Sequence, residues 1–283
     1  MKQINITIMA IILAFTGCTS TKPIPTKPKV KIALALGGGA AKGFAHIGVI
    51  KVLEQNGIKP VIITGTSAGS IIGSLYASGL TPTQLQQKAM DLKEGQVVDL
   101  TLSTNGFIKG EYLQNFINSS VGNRQIQAFK IPFGAVATNR DTGATALFRS
   151  GNAGQAVRAS ASVPNVFQPV KIGSSYYVDG GLTQPVPVSA AKAMGATFII
   201  AVDISAKPKS GISGIFATLD QSINIMSQVA LNSELKKANI VIKPNLDRLS
   251  SGSFDTRHQA ILEGEKAALA ALPAIKKALS IYQ

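Results

Sequence analysis

The sequence contains one cysteine, no tryptophan and only two histidines among its 283 residues. A single cysteine excludes a disulfide framework within the chain. A serine hydrolase usually needs a histidine as the base that activates its nucleophile. Only His46 and His258 could serve as such a base in this chain. Aromatic residues make up only 6% of the chain, so no base-stacking platform for nucleic acid is expected.

The N-terminal segment has an apolar run that is too short to span a bilayer. The run from Ile8 to Phe15 falls short of the roughly 20 residues that a bilayer needs, but it suits the core of a cleaved secretory signal. The stretch "FTGC" that follows resembles a bacterial lipobox, which predicts a signal peptide over residues 1–17 and lipidation of Cys18. Residues 18–30 are rich in proline and lysine and are expected to form an extended tether. An ordinary signal peptide followed by a free thiol is the alternative.

These N-terminal features predict a location in the bacterial cell envelope. A cleaved signal implies export across the inner membrane, and a lipidated cysteine implies anchoring there. Thr19, rather than aspartate, follows the cysteine. That residue resembles the outer-membrane sorting pattern if the cell has two membranes, so we expect an outer-membrane anchor.

Acidic residues are half as numerous as basic ones, 14 against 28, which makes the formal net charge +14. Such an excess permits nucleic acid, an anionic membrane surface or acidic substrates as partners. The sequence has no zinc-finger or RNP-type motif, so we expect no nucleic-acid partner and interpret the charge as favouring anionic lipid. A merely solvated surface remains the alternative, because the lysines are dispersed outside the tether.

Residues 31–283 alternate short apolar runs with segments of helical periodicity, which predicts one α/β domain whose parallel or mixed sheet is flanked by helices. Helices are expected after each of the first two strands, from a capping box at Thr81, over residues 212–235, and over residues 256–281 with a bend at Pro273. The interval 91–131 is the least regular and is a candidate cover over a site. Strands are predicted at "KIALAL", "PVIITGT", "FGAVATN", "TALFRSG", "SYYVDGG", "TFIIAVDIS" and "NIVIKPN".

The stretch "GTSAG" at positions 65 to 69 has the Gly-x-Ser-x-Gly pattern of serine hydrolases. In a nucleophile elbow the serine occupies a sharp turn between a strand and a helix, and Gly65 and Gly69 would let that turn close. Ser67 would then lie at a helix N-terminus, where developing negative charge is favoured. A plain turn of small residues is the alternative.

A second glycine-rich turn, Gly37 to Gly39, also follows a predicted strand and opens a helix. Its N–H groups could approach an anion without side-chain obstruction. A dinucleotide site would need a third glycine where Lys42 stands, and an acidic residue after the next strand, where Thr64 and Gly65 stand. An oxyanion hole beside Ser67 fits better, because adjacent parallel strands would place the two turns side by side.

Four motifs, "GGGAAKGFAHIGV", "GTSAGS", "RASASVPNVFQPV" and "YYVDGGLTQPVPV", resemble in order the successive motifs of the patatin-like phospholipase family. The resemblance runs from about Ile32 to Ser205. It implies a three-layer α/β/α fold with a mostly parallel central sheet, and lipid acyl hydrolysis by a Ser-Asp dyad with neither histidine nor metal nor other cofactor. Carried over, Ser67 is the nucleophile, Asp179 the base, and Gly37, Gly38 and Gly39 the oxyanion loop. Lys42 stands where the family commonly has arginine, which keeps the charge but loses the planar fork, and it is a candidate to support the glycine loop or to hold a lipid phosphate.

The resemblance implies a serine esterase that acts on phospholipid or lysophospholipid. Transacylation or thioester cleavage by the same residues is one alternative, and a non-catalytic lipid-binding lipoprotein is another. Outside the dyad, we expect His46 to pack in the core, His258 to be solvated, and Asp203 to be structural. A turn residue is the alternative for Asp179, since Asp-Gly is a strong turn signal, but its position after the apolar "YYV" downstream of Ser67 matches the family and favours catalysis.

Overall fold

The computed structural model describes residues 30–101, 103, 106–205, 210, 214–250 and 252–282. The strands are β1 (Ile32–Leu36), β2 (Ile62–Thr66), β3 (Phe133–Asn139), β4 (Thr145–Phe148), β5 (Val170–Ile172), β6 (Ser175–Asp179), β7 (Phe198–Val202) and β8 (Ile240–Ile242). The α-helices are α1 (Ala45–Gln55), α2 (Ala68–Ser78), α3 (Pro82–Asp91), α4 (Glu111–Ser120), α5 (Ala153–Ser160), α6 (Val188–Ala193), α7 (Ile215–Met226), α8 (Gln228–Leu235) and α9 (Arg257–Leu279).

The eight strands form one mixed, mostly parallel sheet in the order β5-β6-β3-β2-β1-β7-β8, with β4 paired to β3. Strands β3, β2, β1, β7 and β8 run parallel to one another. Strand β6 is antiparallel to β3 and to its hairpin partner β5, and β4 is antiparallel to β3. All seven predicted strands are present, and the three-residue β5 is an edge strand that the sequence pattern did not predict.

Helices cover both faces of the sheet, which confirms the predicted three-layer α/β/α fold. Alternate residues of a strand face opposite sides. On β1, Leu34 and Leu36 pack into a large core with residues of α1, α2, α3 and α9. Ala33 and Ala35 face a smaller core that includes residues of α6 and α8.

Local signals account for some helix boundaries and not for others. Thr81 caps α3 through a capping box with Gln84, as the sequence predicts. The helix predicted over residues 212–235 is instead two helices, α7 and α8, which are separated at Ser227. Pro273 lies inside α9 without ending it. In the parts of the chain that the structure describes, no helix is both long and apolar enough to cross a membrane.

The interval 91–131 is more ordered than its sequence suggests. It contains α4, whose first N–H groups are capped by the buried carboxylate of Asp99: Oδ1 accepts from Gly110 at 2.6 Å and Oδ2 from Glu111 at 2.8 Å. The N–H of Phe107 donates to Val166 at 3.0 Å. The segment therefore contains one regular helix, and the chain before that helix packs against the loop that follows α5.

Candidate active site

Ser67 occupies a strained turn between β2 and α2. Its backbone has φ 51° and ψ −123°, a left-handed φ that is uncommon for a residue with a side chain. The turn is tight because Gly65 approaches the Gly69 carbonyl so closely that a Cβ on Gly65 would lie 2.5 Å from that oxygen. A Cβ on Gly69 would collide with the backbone of Leu36. Both glycines are therefore required for closure, as the elbow pattern predicts.

The backbone of Ser67 is held by a residue to which the sequence pattern gave no role. Its N–H donates to the hydroxyl oxygen of Ser160, at 3.0 Å, and that hydroxyl donates in turn to the Val136 carbonyl at 2.5 Å. Ser160 is fully buried at the end of α5. Ser160 belongs to the motif "RASASVP", which marked this segment as part of the family pattern. The contacts by which Ser160 fixes the strained turn are not evident from the sequence.

Strand register brings Asp179 to the end of β2. Strand β4 occupies one edge of β3, where it pairs with both Ala135 and Ala137. The opposite edge is shared: Ala135 pairs with Gly65 of β2, and Ala137 pairs with Asp179 of β6. Strand β6 therefore pairs with the same edge of β3 as β2 does, starting at the point where β2 ends. The last residue of β6 comes to lie beside the turn that carries Ser67.

The Asp179 side chain is buried, with only 6% of the residue exposed. Its Oδ1 accepts a hydrogen bond from the Gly181 N–H at 2.7 Å. Burial raises the pKa of Asp179 from its usual 3.8 to about 6, and hydrogen bonding from Gly181 and from the Ser67 side chain offsets only part of that effect. The other carboxylate oxygen, Oδ2, has no hydrogen-bond partner among the described residues. A buried, basic carboxylate oxygen is thus left next to a serine.

The loop of Gly37, Gly38 and Gly39, called the glycine loop below, lies against Ser67. It offers fewer free N–H groups than the sequence suggests. A Cβ on Gly38 would lie 3.2 Å from the Cβ of Ser67. The Gly37 N–H donates to Val202 and the Gly38 N–H to Pro185, at 3.0 and 2.9 Å. Neighbouring loops therefore already use the N–H groups of Gly37 and Gly38, which leaves the N–H of Gly39 as the candidate oxyanion donor of this loop.

Two other backbone N–H groups, those of Gly39 and Ala68, are not used in this way. The N–H of Gly39 donates to no atom of the described residues. Ala68 is the first residue of α2, so its N–H has no partner within that helix. The residue after an elbow serine commonly donates to the oxyanion, so the sequence carried a signal for Ala68 that the glycine pattern obscured.

The remaining candidate residues are placed as follows. Lys42 is only 3% exposed, which favours support of the glycine loop over contact with a lipid phosphate. His46 is fully buried and His258 is exposed, as expected. Asp203 is fully buried in an ion pair of 2.6 Å with Lys243, which agrees with a structural role. Cys18 lies outside the described residues.

Among the described residues there is no group of three or more histidine, cysteine, aspartate or glutamate side chains that could hold a metal ion.

Comparison with known sequences identifies the same motifs. The sequence profile of the patatin-like phospholipase family matches residues 34–192. An uncharacterised NTE family protein of Mycobacterium tuberculosis is 33% identical over 178 residues, which cover 62% of this chain and 49% of that protein. Lysophospholipase NTE1 of Debaryomyces hansenii is 33% identical over 179 residues, or 61% of this chain and 12% of that protein. The chain therefore spans half or less of these relatives.

Solved structures support the fold. VipD from Legionella pneumophila superposes with a TM-score of 0.61 at 14% identity, over 87% of this chain and 67% of that one. The type III effector ExoU superposes with a TM-score of 0.50 at 13% identity, over 88% of this chain and 54% of that one.

Proposed function

Because the chain belongs to the patatin-like phospholipase family, we propose that it is a lipid acyl hydrolase of the phospholipase A or lysophospholipase type, with Ser67 as nucleophile and Asp179 as base. One observation carries the proposal: a buried carboxylate of raised pKa lies beside a serine on a strained elbow. The names of relatives, lysophospholipase NTE1 among them, support the choice of substrate class.

The chemistry follows the order of an acyl transfer. Ser67 Oγ attacks the ester carbonyl while Asp179 takes the hydroxyl proton, and the negative charge that develops on the carbonyl oxygen is stabilised by the N–H groups of Gly39 and Ala68. The C–O bond to the glycerol oxygen then breaks, and Asp179 returns the proton to that leaving alcohol. Water attacks the acyl-enzyme, giving up a proton to Asp179. Asp179 then returns that proton to the departing Ser67 oxygen, and the fatty acid is released.

The activity should depend on the ionisation of Asp179. Only the ionised carboxylate can accept the serine proton, so kcat/KM should rise about tenfold per pH unit below pH 6 and level off above it. Rates on a water-soluble short-chain ester between pH 4.5 and 8.5, with the fold monitored by circular dichroism, measure this. A profile that stays flat between pH 5 and 7 would count against Asp179 as the base.

The basic test is hydrolysis of lipid. The purified protein should release fatty acid from lysophospholipid or phospholipid vesicles, and free acid should account for the ester lost. Ester loss matched by acyl transfer to a second lipid would favour the transacylase alternative. Lipid binding without ester loss would identify a non-catalytic binding protein.

We also propose that Cys18 is lipidated and holds the protein to the cell envelope, as its lipobox-like sequence suggests. The Cys18→Ala variant should then shift from the membrane fraction to the soluble fraction, because two or more acyl chains anchor a protein far more firmly than one. Immunoblotting of fractionated cells checks this, with Thr21→Ala as the matched control that stays with the membrane. A Cys18→Ala protein that remained wholly membrane-bound would refute the anchor.

A further inference from the structure

His46 directs a single N–H at the glycine loop. Its Nε2 lies 2.8 Å from the carbonyl oxygen of Gly37. Because a carbonyl can only accept, Nε2 must carry the proton. The other nitrogen, Nδ1, is buried and has no hydrogen-bond partner in the described part of the chain. Burial lowers the pKa of His46 to about 4, so the imidazole is neutral at physiological pH.

The peptide group between Gly37 and Gly38 is held at both ends. In a trans peptide the C=O and the N–H point in opposite directions. His46 donates to the carbonyl end, and the N–H end, which belongs to Gly38, donates to the Pro185 carbonyl at 2.9 Å. These two bonds together set the rotation of the peptide plane.

Such a clamp is needed because glycines lie on both sides of this peptide. Without a Cβ, Gly37 and Gly38 have access to backbone conformations that other residues avoid, so the plane between them would otherwise rotate easily. Gly38 also lies against Ser67, and the next N–H along the chain is that of Gly39. A rotated peptide would therefore move the Gly39 N–H away from the carbonyl oxygen of a substrate bound at Ser67.

We infer that His46 is a positioning residue, whose Nε2–H fixes the Gly37–Gly38 peptide and through it directs the Gly39 N–H at the oxyanion. The inference rests on the proposed function. His46 takes no part in proton transfer, because its one donor is committed to Gly37 and its ring is enclosed in the core. Its role is to keep the loop in the orientation that the transition state needs.

The two ring nitrogens allow a sharp substitution test. A glutamine amide nitrogen can take the place of Nε2, whereas the shorter asparagine amide can reach only the place of Nδ1. His46→Gln should therefore keep most of the wild-type kcat. His46→Asn and His46→Phe should lose on the order of 10²-fold in kcat with little change in KM, because misplacement of a transition-state donor acts on the chemical step. The exposed His258 provides the matched control, since His258→Phe should behave as wild type.

Circular dichroism and thermal unfolding identify variants that have lost the fold, and only folded variants are compared. If folded His46→Phe is as active as wild type, or if folded His46→Gln is as impaired as His46→Phe, the inference is wrong. The second outcome would instead indicate an acid–base role for the imidazole.

A second measurement is independent of activity. The imidazole ¹⁵N chemical shifts of His46, assigned with the help of His258→Gln, should show a protonated Nε2 and a bare Nδ1. The opposite tautomer would overturn the inference. Failure of the proposed function would give a different result. If the wild-type protein cleaves no ester, the proposed enzymatic activity is refuted. The tautomer would still show whether His46 donates to Gly37.

Discussion

Replacement of Asp179 by asparagine should reduce turnover by about 10⁴-fold or more, the loss typical of a base that acts as a unit with its nucleophile. An amide cannot accept the serine proton, yet it fits the same space. Its oxygen can keep the 2.7 Å bond from Gly181, and its NH₂ would stand where Oδ2 now has no hydrogen-bond partner among the described residues. Steady-state rates on a soluble ester measure the loss.

The same variant should be more stable than wild type at neutral pH. The pKa of Asp179 is raised from 3.8 to about 6 in the folded protein, so its contribution to stability is complete at low pH and is lost as the pH rises through 6. At about 1.4 kcal/mol per pH unit, the buried charge costs the fold about 3 kcal/mol above that pH.

Urea unfolding at pH 5 and pH 8 provides the measurement. The advantage of Asp179→Asn over wild type should be larger at pH 8. An inactive variant that is destabilised at both pH values would point to a turn-forming aspartate instead of a base. An active Asp179→Asn protein would refute the dyad outright.

Replacement of Ser67 by alanine should abolish turnover to a similar or greater degree, because no other nucleophile can form the acyl-enzyme. The double variant Ser67→Ala/Asp179→Asn should be little worse than Ser67→Ala alone, since residues that act as one unit are not additive. Rates of the two single variants and the double variant measure the coupling. Multiplicative losses would indicate that Ser67 and Asp179 act separately.

Much of the fold could be predicted because the relevant signals are local. The apolar runs of β1, β2 and β7 are buried on both faces, and they are short enough to distinguish strands from helices. The capping box at Thr81 contains its own hydrogen-bond partners within one helical turn. What escaped prediction lacked such a signal: β5 has three residues at the sheet edge, too few to show alternation. The break between α7 and α8 falls at Ser227, where neither glycine nor proline marks it.

The candidate site likewise contains residues whose positions could be predicted from local sequence and residues whose positions could not. Ser67 and its flanking glycines could be predicted because the steric demands of a strand-to-helix turn are local. The place of Asp179 could be inferred only through the family resemblance, because it depends on β2 and β6 sharing one edge of β3, a long-range pairing. That the N–H groups of Gly37 and Gly38 are already used within the fold could not be predicted, for a similar reason. Their acceptors, Val202 and Pro185, are distant in sequence.

Fluorophosphonate labelling followed by intact-protein mass spectrometry and peptide mapping tests the Ser-Asp dyad most directly. The reagent leaves a covalent phosphonyl group on an activated serine. Wild-type protein should gain one adduct, on Ser67, while Ser67→Ala should gain none and Asp179→Asn should react far more slowly than wild type. Wild-type protein that took up no label, or that was labelled to the same extent when Ser67 was replaced by alanine, would contradict the dyad.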